Sequence, residues 1–147
     1  MNKANEKQQN ILANSTYEIW GNTITLTNGH FRDEANSAII KAVDMYDTWT
    51  SDLTGAGIEC ALVHLTHNTG GMGWDHEIAV MIHDEVAGIY NQVFMIQTAV
   101  SNHEMNLNIV EEQNGSKRIN IHIQDPDGER WIDCSLSKLY FQNQGKK

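Results

Sequence analysis

The sequence predicts an α+β fold in which one long helix packs on a curved antiparallel β-sheet. Between residues 31 and 52, apolar residues recur at three- and four-residue spacing, which is typical of an amphipathic helix. After residue 57, short segments of alternating apolar and polar residues are separated by turn residues, which is typical of antiparallel strands. A helix and a sheet with one apolar face each bury those faces by packing together.

The N-terminal segment, residues 1–14, is polar and rich in Asn, Gln and Lys. It is predicted to be either a mobile arm or a short helix held in place by Ile11 and Leu12. Residues 15–147 follow as a single α+β domain, because no repeat, linker or low-complexity segment divides them.

Residues 17–27 have the β-branched and aromatic content of strands. A tight turn at Gly21-Asn22 predicts a hairpin within this segment. The predicted partners are Ile19 with Ile24 and Tyr17 with Leu26.

The long helix is predicted over residues 31–52. Its apolar stripe comprises Ala35, Ala38, Ile39, Ala42, Met45, Tyr46, Trp49 and Leu53. Asp33 and Glu34 favour a helix N-terminus at the start of the segment, and Gly55 and Gly57 favour its end.

The strand registers after residue 57 follow from matching apolar residues across each predicted pair. Residues 58–67 and 73–84 match as Ile58 with Ile82, Cys60 with Val80, Leu62 with Ile78, His64 with His76, and Thr66 with Trp74. Residues 89–100 are predicted to form a further strand, although their spacing also permits a helix.

The last third of the chain predicts three strands that share one apolar face. A loop at Gln113-Asn114-Gly115 pairs Met105, Leu107 and Ile109 with Ile123, Ile121 and Ile119. A four-residue turn over 126–129 then pairs Ile119, Ile121 and Ile123 with Leu136, Cys134 and Ile132. The opposite face is polar, with His122 expected opposite Asp133, and is predicted to be solvated.

Composition and charge narrow the possible functions. With 40% hydrophobic and 20% charged residues, the chain has the composition of a soluble globular protein. It shows neither a signal peptide nor an apolar run long enough to cross a bilayer, so no membrane association and a cytoplasmic location are predicted. The net charge of −9 argues against nucleic-acid binding and fits either solubility or a basic protein partner.

A candidate catalytic corner lies at Asn28-Gly29-His30, where the predicted helix begins. Free backbone N–H groups at a helix N-terminus polarise a carbonyl, and His30 is a candidate general base. Asp44 follows on the polar side of the predicted helix, roughly 20 Å from His30 by helix rise. The two side chains are therefore predicted to meet only across the interface of a homodimer.

A family resemblance accompanies this corner. The stretch Gly29-His30-Phe31, followed by Asp44, resembles the corner of hotdog-fold hydroxyacyl-thioester dehydratases. Asn28-Gly29-His30 is also similar to the Gly-His corner of hotdog acyl-CoA thioesterases. The resemblance implies a hotdog-like homodimer that hydrolyses or dehydrates an acyl-CoA or acyl-carrier substrate and needs no cofactor. Gly29 and His30 would polarise the thioester carbonyl, and His30 or Asp44 would move the proton.

His64 and Trp74 are predicted to line the pocket beside this corner. Four of the seven histidines, His64, His67, His76 and His83, lie between residues 64 and 83. The predicted register brings only His64 and His76 together, and no zinc-binding spacing is present, so no metal site is predicted. The default expectation is an aromatic and polar patch that also includes Thr66.

Two further functions remain open on the sequence. Small acidic domains bind basic partners through electrostatic steering, as immunity or inhibitor proteins do when they neutralise a basic toxin. A cystatin- or NTF2-like fold, which also packs a helix on a curved sheet, would instead bind a small molecule. Neither alternative is tied to particular residues beyond charge and element order.

Overall fold

The computed structural model describes residues 2–52, 57–71, 73–98, 104–111, 117–125 and 128–135. These residues form one short helix, α1 (Glu6–Leu12), and eleven strands. The strands are β1 (Asn2–Lys3), β2 (Thr16–Ile19), β3 (Asn22–Thr25), β4 (His30–Arg32), β5 (Ala42–Ser51), β6 (Cys60–Asn68), β7 (Asp75–Asp84), β8 (Ile89–Gln97), β9 (Glu104–Glu111), β10 (Lys117–Asp125) and β11 (Gly128–Ser135). The fold is therefore mostly β, and the prediction of a long helix packed on a sheet is wrong.

Three layers make up the described structure. The middle layer, here called the central sheet, is antiparallel and six-stranded in the order β1-β5-β6-β7-β8, with β4 also paired to β5. One of its faces carries α1 and the β2–β3 hairpin, and the other carries the three-stranded C-terminal sheet, ordered β11-β10-β9. Hotdog-like and cystatin- or NTF2-like arrangements both need a long helix on one sheet, and neither describes this architecture.

The first core lies between the central sheet and the layer of α1 and the hairpin. Leu12 and Tyr17 from that layer pack among Val63, Leu65 and Met81 of the central sheet. The helix is fixed at its start by a capping box between Asn5 and Gln8. Of the two alternatives for residues 1–14, the structure shows the short helix, and Leu12 is the residue that anchors it.

The second core lies between the central and C-terminal sheets. Ile119, Ile121 and Ile123 are fully buried there against Leu62 and Val80, among others. The predicted apolar face is thus confirmed for β10, but a sheet covers it where a helix was expected. Because β6 and β7 are buried on both faces, they contain near-continuous apolar runs.

The helix prediction over residues 31–52 failed for identifiable reasons. Ile39 and Tyr46, two members of the predicted apolar stripe, are 70% and 72% exposed. The Asp33 carboxylate accepts a hydrogen bond from the Ala38 backbone N–H and pairs with Lys41, which stabilises a loop instead of a first helical turn. Within β5, the apolar spacing that fits a helix also fits a strand that is buried on both faces.

The strand registers were predicted in part. The β9–β10 register is confirmed, with Ile109, Leu107 and Met105 opposite Ile119, Ile121 and Ile123. Each of the other three predicted pairs is displaced by two residues, so that Tyr17 lies opposite Ile24, Leu62 opposite Val80, and Ile121 opposite Ile132. A two-residue displacement leaves every side chain on its own face, and alternation therefore does not reveal it.

Turn geometry accounts for the displacement in the first hairpin. Trp20 and Gly21 both have positive φ, 50° and 76°, as a two-residue type I′ turn requires.

Residues 89–97 form a strand as predicted. The predicted loop at 113–115, the turn residues Pro126 and Asp127, the predicted helix end at Leu53 and Gly55, and Leu136 lie outside the described residues. Across the described part of the chain, no helix is long and apolar enough to span a bilayer.

Candidate functional site

The predicted pair of His30 and Asp44 forms within one chain. Antiparallel pairing of β4 with β5 places the two residues directly opposite each other, and His30 Nδ1 lies 2.7 Å from Asp44 Oδ1. The expected separation of roughly 20 Å is wrong because the intervening residues form a loop and two strands instead of a helix. The pair therefore does not need a second subunit, and the homodimer stays a prediction.

Arg32 completes this group from the same face of β4. Its NH1 and NH2 atoms lie 2.9 and 3.3 Å from the two carboxylate oxygens of Asp44. Partial burial raises the pKa of Asp44, but the hydrogen bonds and charges of Arg32 and His30 together hold that pKa below its ordinary value. Asp44 is consequently a carboxylate at neutral pH.

The His30 ring is oriented by Asp44 and open to solvent. Its side chain is 62% exposed, and among the described residues none forms a hydrogen bond or ion pair with Nε2. Because an ionised carboxylate accepts a hydrogen bond at Nδ1, the neutral ring carries its proton there and its free lone pair on Nε2. This arrangement suits a general base.

A second pair of histidines lies on the same side of the central sheet. His64 Nε2 and His76 Nδ1 are 2.8 Å apart, so the predicted meeting of these residues is confirmed although the register is displaced by two. A β-bulge between Met45 and Asp47 turns Tyr46 towards this pair, and its ring centroid lies 5.0 Å from that of His64.

One row of cross-strand neighbours connects the two groups. Asp44 lies opposite Thr66 on β6, and Thr66 lies opposite His76 on β7. Two strand spacings, about 10 Å, therefore separate the backbones of Asp44 and His76. His30 and the histidine pair are too far apart for one proton relay, yet both can face one extended ligand.

Trp74 lies beside Arg32. The guanidinium carbon of Arg32 is 6.0 Å from the Trp74 ring centroid, which is cation–π distance. We use the name polar face for the surface formed by His30, Arg32, Asp44, Tyr46, His64, Thr66, Trp74 and His76. Four of the six residues predicted for the site, namely His30, Asp44, His64 and Trp74, belong to it.

The other two predicted residues, Asn28 and Gly29, form a tight turn before β4. Asn28 and Gly29 both have positive φ, and Thr27 and His30 exchange backbone hydrogen bonds across the turn. The Gly29 N–H donates to the Ala13 carbonyl and the His30 N–H to the Thr27 carbonyl, at 2.8 and 3.1 Å. No helix N-terminus exists at this position, and both groups expected to polarise a carbonyl already have partners.

Replacing Gly29 with Ala is expected to lower the free energy of unfolding by about 1–2 kcal/mol, because φ is +85° and L-residues are strained there. The added Cβ would also contact Met45 and Ala13 at 3.7 and 3.9 Å. Gly71→Ala is the matched control, because its added Cβ meets nothing within 4 Å. Urea unfolding monitored by circular dichroism measures both variants, and equal stabilities would contradict the turn geometry.

His67 and His83 face the opposite side of the central sheet from His64 and His76, as the sequence predicted. His67 is fully buried, 3.4 Å from the equally buried Glu77, and the Trp20 indole N–H donates to the same carboxylate. His83 is partly buried, 3.5 Å from Glu59. Within the described residues, no three His, Cys, Asp or Glu side chains converge as metal ligands.

Sequence reasoning missed Arg32, Tyr46 and the contacts of Trp20 with the buried His67 and Glu77. Arg32 follows His30 by two residues, a spacing that puts both side chains on one face of a strand. The signal was present in the sequence, but assigning this segment to a helix concealed it. Tyr46 reaches the polar face through a β-bulge, which periodicity does not reveal.

Comparisons with known proteins identified no relative of this chain. No family model matches the chain, and neither a curated protein nor a solved structure matches it.

Proposed function

We propose that the protein is an acid–base enzyme of the hydrolase or hydro-lyase class, with His30 as its general base. The observation that supports this proposal is the 2.7 Å contact between His30 Nδ1 and a carboxylate that Arg32 helps to keep ionised. The opposite ring nitrogen then faces solvent with its lone pair available for a substrate proton or a water molecule.

The three residues have separate tasks in this proposal. His30 Nε2 removes a proton from water, which then attacks the substrate, or from a substrate carbon before water is eliminated. Asp44 orients the ring, fixes its tautomer and stabilises the imidazolium that forms. Arg32 is a positioning residue, because both of its terminal nitrogens are engaged by Asp44 and by the backbone carbonyls of Phe31 and Val43.

The acyl-thioester substrate stays a prediction. The prediction depended on polarisation of the thioester carbonyl by the N–H groups of Gly29 and His30. In the folded chain both N–H groups donate hydrogen bonds to backbone carbonyls instead. The polar face is open and carries the aromatic rings of Tyr46 and Trp74, which suit a substrate with an apolar or planar portion. The substrate panel should therefore combine acyl-CoA thioesters with carboxylic esters and 3-hydroxyacyl compounds.

His30→Ala and Asp44→Asn are each expected to lower kcat on the turned-over substrate by roughly 10²–10⁴-fold, the usual contribution of a positioned base. Asp44→Asn should leave KM nearly unchanged, because Asp44 acts through His30. The matched control is His83→Ala, which removes a histidine from another histidine–carboxylate pair on the opposite side of the sheet.

Steady-state kinetics on the panel, with circular dichroism to verify folding, decides the outcome. Turnover that survives His30→Ala in a folded protein would exclude His30 as the base. Loss of turnover in His83→Ala as well would indicate a general structural effect instead of a catalytic one.

A second candidate function is capture of a basic protein partner, as predicted for an immunity or inhibitor protein. The specific observation in its favour is that Tyr46, 72% exposed, lies on one surface with Trp74 and Arg32 in a chain of net charge −9. Tyr, Trp and Arg are the residues most enriched at the centres of protein interfaces. A salt-sensitive complex that Tyr46→Ala weakens, together with no turnover of any panel substrate, would favour this function over catalysis.

A further inference from the structure

The C-terminal sheet has a polar surface that the second core leaves uncovered. Residues that alternate with the buried isoleucines of β10 point away from the central sheet. We call this surface the outer face, and it comprises Asn108, Asn120, His122, Gln124, Trp131 and Asp133. It lies on a different layer from the polar face and shares no residue with it.

An exposed indole is the central feature of the outer face. Trp131 is 61% exposed and stacks on His122, with ring centroids 4.2 Å apart and an interplanar angle of 21°. The two residues are direct cross-strand partners. His122 therefore supports one side of the indole and limits its rotation, and among the described residues no second ring stacks on Trp131.

Three side-chain amides lie on the same surface as this indole. Asn120 lies opposite Asn108 on β9 and opposite Asp133 on β11, so these three residues form one cross-strand row. This row lies roughly 7 Å along the strands from the row that contains His122 and Trp131. The side-chain amides of Asn108, Asn120 and Gln124 hydrogen bond to nothing in the described part of the chain. Each amide offers two donors and an acceptor in one plane.

The described side chains of the outer face carry no excess of positive charge. Arg118 Nε lies 2.9 Å from Asp133 Oδ1, so one cation and one anion are paired, and Glu129 lies beside His122 with 3.6 Å between Oε1 and Nε2. In a protein of net charge −9, such a surface does not suit a polyanion. The amide groups of this surface suit the hydroxyl groups of an uncharged ligand.

We propose that the outer face binds a neutral polysaccharide. The C–H face of a pyranose ring packs on the exposed side of Trp131, and the hydroxyl groups of the next sugar bond to Asn120 and Asn108. Since the two rows are separated along the strand, a chain of sugars contacts both of them while a single sugar contacts one. A polymer should therefore bind more tightly than its monomer.

Affinity gel electrophoresis tests the proposal with the complete protein and three soluble neutral polysaccharides: a β-glucan, a xylan and a galactomannan. At least one should retard migration, and Trp131→Ala and Asn120→Ala should each raise its dissociation constant by roughly tenfold. Trp131→Phe, which keeps an aromatic platform, should retain part of the affinity. Ile39→Ala is the control, because this exposed side chain lies on the loop between β4 and β5 and not on the outer face.

Retardation that is lost in Trp131→Ala and kept in Ile39→Ala would support the proposal. It would be overturned if none of the three polymers retarded the protein, or if Trp131→Ala migrated as the original protein does. Retardation by an acidic polysaccharide alone would also overturn it, because the charge argument would then be wrong.

Discussion

Replacing Ile121 with Ala is expected to lower the free energy of unfolding by about 3–4 kcal/mol, near the upper part of the range for a buried Ile. Ile121 is fully buried at the centre of the C-terminal sheet, between the flanking Ile119 and Ile123. Since both packed layers are sheets, neighbouring side chains have little freedom to fill the space that the substitution leaves. Urea unfolding, monitored by circular dichroism and tryptophan fluorescence, provides the measurement.

Val110→Ala is the matched control for Ile121→Ala. Val110 belongs to the same sheet but points away from the second core and is partly exposed. Its replacement should cost less than about 1 kcal/mol, because little apolar surface is lost from the interior. If the two substitutions destabilised the protein equally, packing of the C-terminal sheet on the central sheet would be refuted.

The second large effect is expected for His67→Leu, which should lower the free energy of unfolding by about 3 kcal/mol. His67 and Glu77 have side chains 0% and 3% exposed, with 3.4 Å between Nε2 and Oε1. Without His67, the carboxylate stays buried with the Trp20 indole N–H as its hydrogen-bond donor. A buried carboxylate that loses a partner retains its full desolvation cost.

A double-mutant cycle separates this effect from simple loss of packing. In His67→Leu/Glu77→Leu both polar groups are removed together, and stability should recover by roughly 2 kcal/mol relative to His67→Leu alone. In the double variant the Trp20 indole N–H loses its carboxylate partner, but water can replace that partner because Trp20 is half exposed. His83→Leu removes a less buried histidine beside the partly exposed Glu59 and should cost under about 1 kcal/mol. Additive losses in the cycle would mean that His67 and Glu77 do not interact.

Outside residues 31–52, local alternation was sufficient to predict strands and their faces, but not the layers. The burial of Ile119, Ile121 and Ile123 followed from period-two spacing, and so did the shared side of His64 and His76. What covers an apolar face depends on partners distant in the sequence, and both a helix and a second sheet satisfy the same pattern. The assignment of residues 31–52 to a helix then supplied the wrong partner.

The candidate site was predicted for a reason that proved incorrect. His30 and Asp44 were selected because one begins a supposed helix and the other lies on its polar side, yet they meet because β4 and β5 are antiparallel neighbours. Residue chemistry pointed to the pair, whereas the distance between them depended entirely on secondary structure. The sequence did not predict Arg32 or Tyr46 as site residues. Arg32 reaches the site because it lies on a strand, and Tyr46 reaches it through a β-bulge.

The central sheet also determines how the molecule unfolds. β6 and β7 contribute Leu65 and Met81 to the first core, and Leu62 and Val80 to the second. If either outer layer separated, one face of these two strands would enter water while the other remained packed. Both cores therefore depend on β6 and β7, and packing in one core stabilises the strands that the other core needs. The stabilities of the two cores are consequently linked. We therefore expect cooperative, all-or-none loss of both cores, with no populated state in which one outer layer has melted alone.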